Sequence, residues 1–315
     1  MRRDKTTASE KQYILGLDGG GTKTHAVLFD VNDKEFANPL KTTLAGPSNL
    51  NSTGKDRVRA HFQAILRDLD VQVSSIVATG LGAAGISGPR VYETLHEILS
   101  SLGLQNLCIV GDQAAALRGA LDHEPGILLI AGTGSIAMGQ GPRGLARAGG
   151  FGHLIGDEGS GYSIGKAFLS ETLKVFDGQR EHSRMTKAVH EFLDTEDPIA
   201  EIMGLFYQAP FDKSRIARFA VVMDPLLDEG DAETLAIAKH EAGVLLRLVE
   251  TVAKKISGKD LNLVLAGSLL KSKPYRQVFM DLLTESRANY TLTEAKSDAA
   301  SGAASLARDL LETVS

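Results

Sequence analysis

Short apolar runs alternate along this chain with longer stretches in which apolar residues recur at helical spacing. The apolar runs have strand length and lie at Tyr13–Leu17, Ala26–Phe29, Ser75–Ala78, Leu107–Val110, Gly126–Ile130, Ser135–Met138 and Leu261–Leu265. Helical periodicity is clearest at Arg57–Leu69, Arg90–Ser101 and Thr234–Ile256. Such alternation is typical of layered α/β proteins.

The segment from about Phe168 to Asp260 contains almost no strand signal, and we expect it to be mostly helical. The chain has 315 residues, 43% of them hydrophobic, which is enough for two domains with substantial cores. We therefore predict two α/β domains, the second of which carries a helical insertion.

A glycine turn joins the first two apolar runs, where Asp18 is followed by Gly19, Gly20, Gly21 and Thr22. Two strand-like runs on either side of a tight turn predict a β-hairpin. Glycines allow the backbone to approach an anion and to present N–H groups to it, and Asp18 could hold a hydrated Mg²⁺. A purely structural turn would have the same sequence, so this motif alone does not decide between the two.

A second glycine turn, at Ile130–Ser135, resembles the first and lies in the other half of the chain. Two such hairpins could hold the phosphates of one nucleotide from opposite sides.

Two helices rich in small residues are predicted at Asp112–Ala120 and Asp298–Ala307. Small side chains let two backbones cross closely, and crossed helices between domains would form a hinge. The alternative is that alanine is present only for its helix propensity.

Asp112 follows the strand-like run Leu107–Gly111 and begins one of these helices. A carboxylate at this position could simply cap the helix. The carboxyl ends of parallel strands are also where open α/β sheets bind ligands, so Asp112 could instead accept a proton from a substrate hydroxyl.

A loop at Gly149–Tyr162 combines glycines, Phe151, His153 and two carboxylates, a mixture that suits the recognition of a polyol. His153 and Asp157 could alternatively bind a metal, although no third ligand lies nearby in the sequence. In the turn Gly46–Asn51, the Asn49 amide could bind hydroxyl groups or form an ordinary turn.

Charge and cysteine content narrow the classes of partner. The net charge is −5, and no basic patch indicates nucleic-acid binding. No apolar run is long enough to cross a membrane. Cys108 is the only cysteine, so an intrachain disulfide is excluded and a reducing cytoplasm is the expected setting.

Taken in order, these motifs resemble the sugar kinase, heat-shock ATPase and actin superfamily. Within it, the chain is most similar to the branch of the eukaryotic-type N-acetylglucosamine kinases and the BadF/BadG-type ATPases. The matching segments are Asp18–Thr22, Ala131–Ser135, Gly150–Ser160, Ala266–Ser272 and Ser297–Leu306.

The resemblance implies an α/β fold of two ribonuclease H-like, actin-like ATPase domains with a cleft between them. One domain would comprise residues 1–117 and 298–315, including the crossing C-terminal helix. The other would comprise residues 118–297, with the helical insertion at about 168–260.

The resemblance also implies ATP and Mg²⁺ as cofactors, Asp112 as the catalytic base and Asp18 near the metal through water. Nucleotide contacts are implied for Asp18, Gly20, Gly21, Thr22, Lys23, Gly132, Thr133, Gly134, Ala217, Gly267, Ser268 and Ser272. A sugar site is implied for Asn49, Ser135, Gly150, Phe151, Gly152, His153 and Asp157.

The expected activity is phosphorylation of an amino sugar, with the 6-hydroxyl of N-acetylglucosamine as the first candidate. Two residues depart from the kinases compared: Ile136 stands where they carry Asn, and Phe151 stands where they tend to carry Trp. Because both positions concern the sugar, the acceptor could also be glucosamine, N-acetylmuramate, N-acetylmannosamine or a neutral hexose.

Two other functions occur in related proteins. Some ATPases of this branch activate a partner enzyme through an iron–sulfur cluster that uses two cysteines per subunit, which one cysteine does not provide. Sugar-sensing repressors carry an added helix-turn-helix, for which residues 1–12 are too short. Related kinases are commonly homodimers, but no sequence feature identifies an interface.

Overall fold

The structure, a computed structural model, describes residues 11–36, 38–86, 88–258, 260–286 and 289–314. The chain divides into two compact units, Met1–His123 with Glu294–Ser315, and Glu124–Thr293.

Ten β-strands are formed by the described residues: β1 Tyr13–Gly19, β2 Thr24–Asp30, β3 Lys41–Ala45, β4 Ile76–Ala83, β5 Leu107–Gly111, β6 Gly126–Ala131, β7 Ser135–Gly141, β8 Gly144–Gly149, β9 Leu261–Ala266 and β10 Tyr290–Leu292. The same residues form twelve α-helices: α1 Leu50–Thr53, α2 Lys55–Leu69, α3 Pro89–Ser101, α4 Asp112–Leu121, α5 Gly161–Phe176, α6 Arg184–Leu193, α7 Pro198–Tyr207, α8 Lys213–Ala217, α9 Met223–Asp228, α10 Ala232–Ile256, α11 Lys273–Glu285 and α12 Ala299–Val314. Short 3₁₀ turns occur at Val73–Ser75, Arg218–Val222 and Leu269–Lys271.

The first unit contains a five-stranded mixed sheet with the strand order β3-β2-β1-β4-β5. Strands β1, β2 and β3 form an antiparallel meander, while β4 and β5 continue the sheet in parallel with β1. Alternation along β1 directs Leu15 and Leu17 into one core, with Phe62 of α2 and Leu95 of α3, and Ile14 into the other, with Ala300 and Ala304 of α12.

The second unit repeats this topology with the strand order β10-β9-β6-β7-β8. Strands β6, β7 and β8 are antiparallel, and β9 and β10 extend the sheet in parallel with β6. Among the described residues between β8 and β9, all of the regular structure is helical, so the strand-poor segment is helical as the sequence predicts. This unit has one large core, which includes Phe168, Leu245 and Phe279.

Three strands were not predicted, namely β3, β8 and β10. All three lie at the edges of their sheets. Most of their side chains are exposed or half-buried, so these segments lack the apolar run that identifies a central strand. The fourth edge strand, β5, keeps such a run and was predicted.

The two small-residue helices, α4 and α12, cross inside the first unit, where α12 also packs against β1 and β4. Glycine makes this approach possible: a Cβ at Gly80 would lie 1.8 Å from the carbonyl oxygen of Ala303, and a Cβ at Gly302 would lie 2.1 Å from that of Ala115. The predicted close crossing is therefore present, but the expectation that these helices cross between domains as a hinge is wrong, because both belong to the first unit.

Among the helices of the described residues, none combines the length and the apolar character that a bilayer-spanning helix needs.

Candidate functional site

The first glycine turn forms the predicted hairpin between β1 and β2. Asp18 pairs with His25 and Gly19 with Thr24, and the turn closes through a 2.9 Å hydrogen bond from the Gly20 N–H to the Lys23 carbonyl. Gly21, Thr22 and Lys23 are exposed at its tip. The tip therefore offers free backbone to a ligand, as a phosphate-binding turn requires.

Carboxylates converge at the end of β1 that leads into this turn. Burial, and then the nearby charges of Asp112 and Asp298, raise the pKa of Asp18, while His25 and Lys23 partly oppose the shift. Burial also raises the pKa of Asp112, whose backbone hydrogen bonds work in the other direction. Negative charge is concentrated here, in a setting that penalises the ionised forms.

Asp112 is the first residue of α4, and Gly111 takes the N-cap position. Its Oδ1 accepts a 3.0 Å hydrogen bond from the Gln113 N–H. The side chain is half-buried, so its carboxylate keeps access to solvent and to a ligand.

Asp298 was not among the predicted site residues. Its Oδ1 accepts from the Ser301 N–H at 2.8 Å, and its Oδ2 lies 3.3 Å from the Nδ1 of His25. His25 in turn places Nε2 2.9 Å from the Thr42 hydroxyl. The sequence marked Asp298 only as the start of a helix, because its proximity to Asp18 depends on the path of α12 across the sheet.

Asn49, a predicted sugar-binding residue of the first unit, caps α1. Its Oδ1 accepts from the Asn51 N–H at 3.0 Å, so the carbonyl end of the amide has a structural role.

The second glycine turn is also a hairpin, between β6 and β7. Ala131 pairs with Ser135, and the Gly132 N–H donates to the Gly134 carbonyl at 2.9 Å. The two turns therefore occupy equivalent places in two sheets of the same topology, which accounts for the internal similarity seen in the sequence.

Beside this hairpin, the second unit contains a cavity of about 330 Å³. Five of the predicted nucleotide residues line it together, namely Gly132, Thr133, Ala217, Ser268 and Ser272. The remaining lining residues are Gly161, Ser214, Arg218, Ala220, Val221, Asp224 and Leu269.

Two further predicted nucleotide residues, Gly134 and Gly267, do not line this cavity. A Cβ at Gly134 would lie 2.9 Å from the Asp157 carboxylate, and one at Gly267 would lie 2.2 Å from the Ala131 carbonyl oxygen. Gly267 also has a φ of +96°, a backbone conformation that favours glycine, so this residue has a structural role.

The helical insertion supplies cavity residues that the sequence analysis missed, among them Ser214, Arg218 and Asp224. The guanidinium of Arg218 lies over the rings of Phe192, at 5.4 Å, and Phe219, at 5.7 Å. These positions carry no glycine motif, and only the packing of the insertion brings them to the hairpin.

The predicted sugar loop leaves β8 through glycines in the left-handed region, with φ of +72° at Gly150 and +83° at Gly152. Phe151 is 58% exposed, with the Arg147 guanidinium 4.9 Å from its ring centre. His153 stacks on Phe211 at 4.6 Å and meets the edge of Tyr162 at 5.5 Å. The loop thus presents an exposed aromatic face.

Asp157 lies within this loop, with a φ of +62° and only 4% of its surface exposed. Its Oδ2 accepts from Lys213 Nζ at 2.8 Å, and its Oδ1 lies 3.5 Å from the Ser135 nitrogen. Ser135 is itself buried and donates its hydroxyl to the Glu158 carbonyl at 2.5 Å. Lys213 comes from α8, and no sequence motif identified it.

Ile136 lies beneath the start of the loop. A Cβ at Gly150 would lie 2.5 Å from its Cδ1, and Ile136 is 6% exposed. The side chain acts as apolar support for Gly150 and has no group with which to hydrogen-bond a sugar.

No group of three or more His, Cys, Asp or Glu side chains suited to a metal ion occurs within the described ranges. His153 and Asp157, the alternative metal pair, make the aromatic stack and the lysine ion pair described above. The carboxylate of Asp18 fits a different role, the water-mediated contact to a nucleotide-bound Mg²⁺, because a cation there would offset the charge of Asp112 and Asp298.

Comparisons with known proteins cover almost the whole chain. At 31% identity it aligns with the N-acetylmuramic acid/N-acetylglucosamine kinase of Clostridium acetobutylicum over 94% of this chain and 98% of the relative. At 27% identity it aligns with the N-acetyl-D-glucosamine kinase of Dictyostelium discoideum, with the same coverage.

Among solved structures, a Chromobacterium violaceum protein provisionally named an N-acetylglucosamine kinase superposes with a TM-score of 0.74 at 26% identity, over 94% of this chain and 99% of that one. The expected α/β, actin-like ATPase fold is thereby confirmed. The sequence model of the BadF/BadG/BcrA/BcrD ATPase family matches residues 15–307. The chain therefore belongs to the BadF/BadG/BcrA/BcrD ATPase family.

Proposed function

We propose that this chain is a kinase that transfers the γ-phosphoryl group of ATP to an amino sugar, with the 6-hydroxyl of N-acetylglucosamine as the first candidate acceptor. One observation carries the nucleotide part: predicted contacts as distant in sequence as Gly132, Ala217 and Ser272 line a single cavity. The names of relatives that span nearly the whole chain support an amino sugar as the acceptor.

Asp112 is the proposed general base. As the sugar oxygen bonds to the γ-phosphorus and the bond to the β–γ bridging oxygen breaks, the hydroxyl proton would pass to the Asp112 carboxylate. Its half-buried position supports this role, because a raised pKa makes a carboxylate a stronger base. The contribution of such a base is typically about 10²–10⁴-fold in rate.

Asp18 and the first hairpin are proposed to act on the phosphates. The exposed backbone N–H groups of Gly21, Thr22 and Lys23 would receive phosphate oxygens, Gly20 would hold the turn closed, and Asp18 would hold the water shell of Mg²⁺. Mg²⁺ neutralises developing phosphate charge in reactions of this type.

Recognition of the acceptor is proposed for the predicted sugar residues, Asn49, Ser135, Gly150, Phe151, Gly152, His153 and Asp157. The exposed ring of Phe151 can pack on the apolar face of a pyranose, and the Asp157 carboxylate can accept from its hydroxyls.

N-acetylmuramate is a second candidate because of Lys213. Its ammonium contacts Asp157, yet the side chain is 36% exposed. An ammonium has three donors, and the structure shows one hydrogen bond from it within the described residues. A sugar hydroxyl bound to Asp157 would lie near this cation, which could then pair with the carboxylate of a lactyl ether on the same sugar.

The test is an ADP-release screen against N-acetylglucosamine, N-acetylmuramate, glucosamine, N-acetylmannosamine and glucose, with the product identified by ³¹P NMR. Sugar-dependent ADP release with N-acetylglucosamine, and a phosphomonoester on its 6-carbon, are the expected results. Absence of sugar-stimulated turnover with every acceptor would contradict the kinase assignment.

The Lys213→Gln variant separates the two acceptors. If Lys213 pairs with the lactyl carboxylate, kcat/KM for N-acetylmuramate should fall about tenfold or more relative to that for N-acetylglucosamine. Lys166→Gln, an exposed lysine on α5, is the matched control and should leave the ratio unchanged. An unchanged ratio in Lys213→Gln would exclude this role of Lys213.

A further inference from the structure

Asp224 and Ser272 form a hydrogen-bonded pair in the wall of the 330 Å³ cavity. The Ser272 hydroxyl donates to Asp224 Oδ1 at 2.6 Å, and its oxygen accepts from the Tyr275 N–H at 3.3 Å at the start of α11. Asp224 lies in α9 of the helical insertion, so the two residues come from segments 48 positions apart.

The proton count of this pair limits what it can bind. A hydroxyl has one proton and two lone pairs, and Ser272 uses its proton on Asp224 and one lone pair on Tyr275. An ionised carboxylate can only accept, and the structure shows one hydrogen bond to the Asp224 side chain within the described residues. Both residues therefore present only acceptors to a ligand in the cavity.

Phosphate groups do not suit this wall. Their oxygens are acceptors too, and their negative charge would be repelled by the Asp224 carboxylate. The part of a nucleotide that carries adjacent hydrogen-bond donors is the ribose, with its 2′- and 3′-hydroxyls. Two carboxylate oxygens and a neighbouring hydroxyl oxygen are well matched to such a vicinal diol.

We infer that Asp224 is a ribose-binding residue that gives this chain a preference for ribonucleotides over deoxyribonucleotides, with Ser272 fixing the carboxylate. The inference rests on the proposed function only in taking ATP as the ligand of the cavity. It also orients the nucleotide, with the sugar at Asp224 and the phosphates toward the hairpin residues Gly132 and Thr133, which line the same cavity.

Isothermal titration calorimetry without any acceptor tests this directly, because it does not depend on phosphoryl transfer. The titrants are ATP, 2′-deoxy-ATP, 3′-deoxy-ATP and inosine triphosphate. For the unaltered protein we expect one or both deoxy nucleotides to bind about tenfold to a hundredfold more weakly than ATP, the usual loss when a hydrogen bond to a charged group is removed.

Asp224→Asn should weaken ATP binding and reduce the discrimination between ATP and its deoxy forms to within about threefold. The matched control is Asp228→Asn, which changes an exposed aspartate at the other end of the same helix and should preserve the discrimination. Circular dichroism of each variant checks folding, and binding of ATP by Asp224→Asn shows that the cavity is intact.

Equal affinity of the unaltered protein for all three adenosine nucleotides would overturn the inference, as would no binding of ATP. If Asp224→Asn still bound ATP more tightly than its deoxy forms by the same factor, the ribose contact would belong to another residue, and the assignment of Asp224 would be wrong. If Asp224→Asn instead changed the preference between ATP and inosine triphosphate, Asp224 would read the base, and the ribose assignment would be wrong. If calorimetry gave the expected result but no sugar stimulated ADP release, the kinase proposal would be wrong and the ribose inference would stand.

Discussion

Asp112 is partly buried and stands at the start of a helix, and these two features have opposite effects on the pKa of its carboxyl group. Burial raises its pKa, and hydrogen bonds from backbone N–H groups limit the rise. The net shift is upward from the ordinary value of 3.8. A base with a raised pKa remains protonated to higher pH, which has a direct consequence for activity.

The pH profile of kcat/KM should therefore lose activity on its acidic side at a pH above the ordinary aspartate value. Proton uptake by Asp112 in the free enzyme is the cause, since only the ionised form can accept the substrate proton. Sugar-dependent ADP release measured between pH 4 and 9, with folding checked at each pH, gives the profile. An acidic limb at or below 3.8 would contradict this account of Asp112.

The burial of Asp18 near two other carboxylates, Asp112 and Asp298, lowers the stability of the folded protein at neutral pH. Because the pKa of Asp18 is raised in the folded state, stability is lost as the pH rises from the unfolded toward the folded value, and the loss is complete above the latter. Asp18→Asn removes this cost and should increase the free energy of unfolding at pH 7 by about 0.5–2 kcal/mol, with a smaller gain at pH 4.5.

Urea denaturation at both pH values measures the Asp18 effect. Asp56→Asn, at an exposed position in the first turn of α2, is the control and should give no such gain. If Asp18→Asn were destabilising at pH 7, the carboxylate would be stabilised by its surroundings, contrary to the direction of its pKa shift.

At the level of elements, the crossing of α4 and α12 depends on glycine. Gly302→Ala would place a Cβ 2.1 Å from the Ala115 carbonyl oxygen and 2.4 Å from the Gly119 nitrogen, both of them backbone atoms. The helices must separate to admit the methyl group, so we expect a loss of about 1–3 kcal/mol, measured by thermal unfolding.

A second helical glycine provides the matched control for this prediction. At Gly243 in α10, a Cβ would meet only the Arg247 Nη1, at 3.8 Å. Gly243→Ala should therefore stabilise the protein by about 0.5–1 kcal/mol through helix propensity. A similar effect of both substitutions would show that close packing at the crossing is not what requires Gly302.

The elements also show what the sequence could predict. Central strands such as β1, β6 and β9 are apolar runs because both faces of the sheet are covered, and their positions were predicted. Edge strands β3, β8 and β10 were missed because their exposed positions interrupt the apolar pattern. Both glycine hairpins were predicted, since a turn of this kind is encoded within a few adjacent residues.

In the candidate site, too, residues of local motifs could be predicted from the sequence, whereas residues brought in by tertiary packing could not. Gly132 and Thr133 belong to a local motif, and the family resemblance supplied Ala217, Ser268 and Ser272, all of which line the cavity. Asp224 and Lys213 were missed because they reach their partners through tertiary packing, from segments that carry no recognisable motif. Asp298 lies in a matching segment, but its contact with His25 depends on how α12 packs in the first unit, which the motif does not encode.

On the scale of the whole molecule, the two units have sheets of the same topology but contain different residues of the proposed site. The first has the strand order β3-β2-β1-β4-β5 and contains Asp18 and Asp112, and the second has the order β10-β9-β6-β7-β8 and contains the cavity and the aromatic loop. We propose that both parts serve one reaction, phosphoryl transfer to an amino sugar with Asp112 as base. Membership of an ATPase family and the names of the relatives support this proposal.

The most direct test is the turnover of Asp112→Asn with N-acetylglucosamine and ATP, measured by ADP release beside the unaltered protein. Asparagine keeps the size of the side chain and its capacity to accept from the Gln113 N–H, but it cannot take the substrate proton. We expect kcat to fall about 10²–10⁴-fold while the calorimetric affinity for ATP stays within about threefold. Turnover close to that of the unaltered protein would contradict the account.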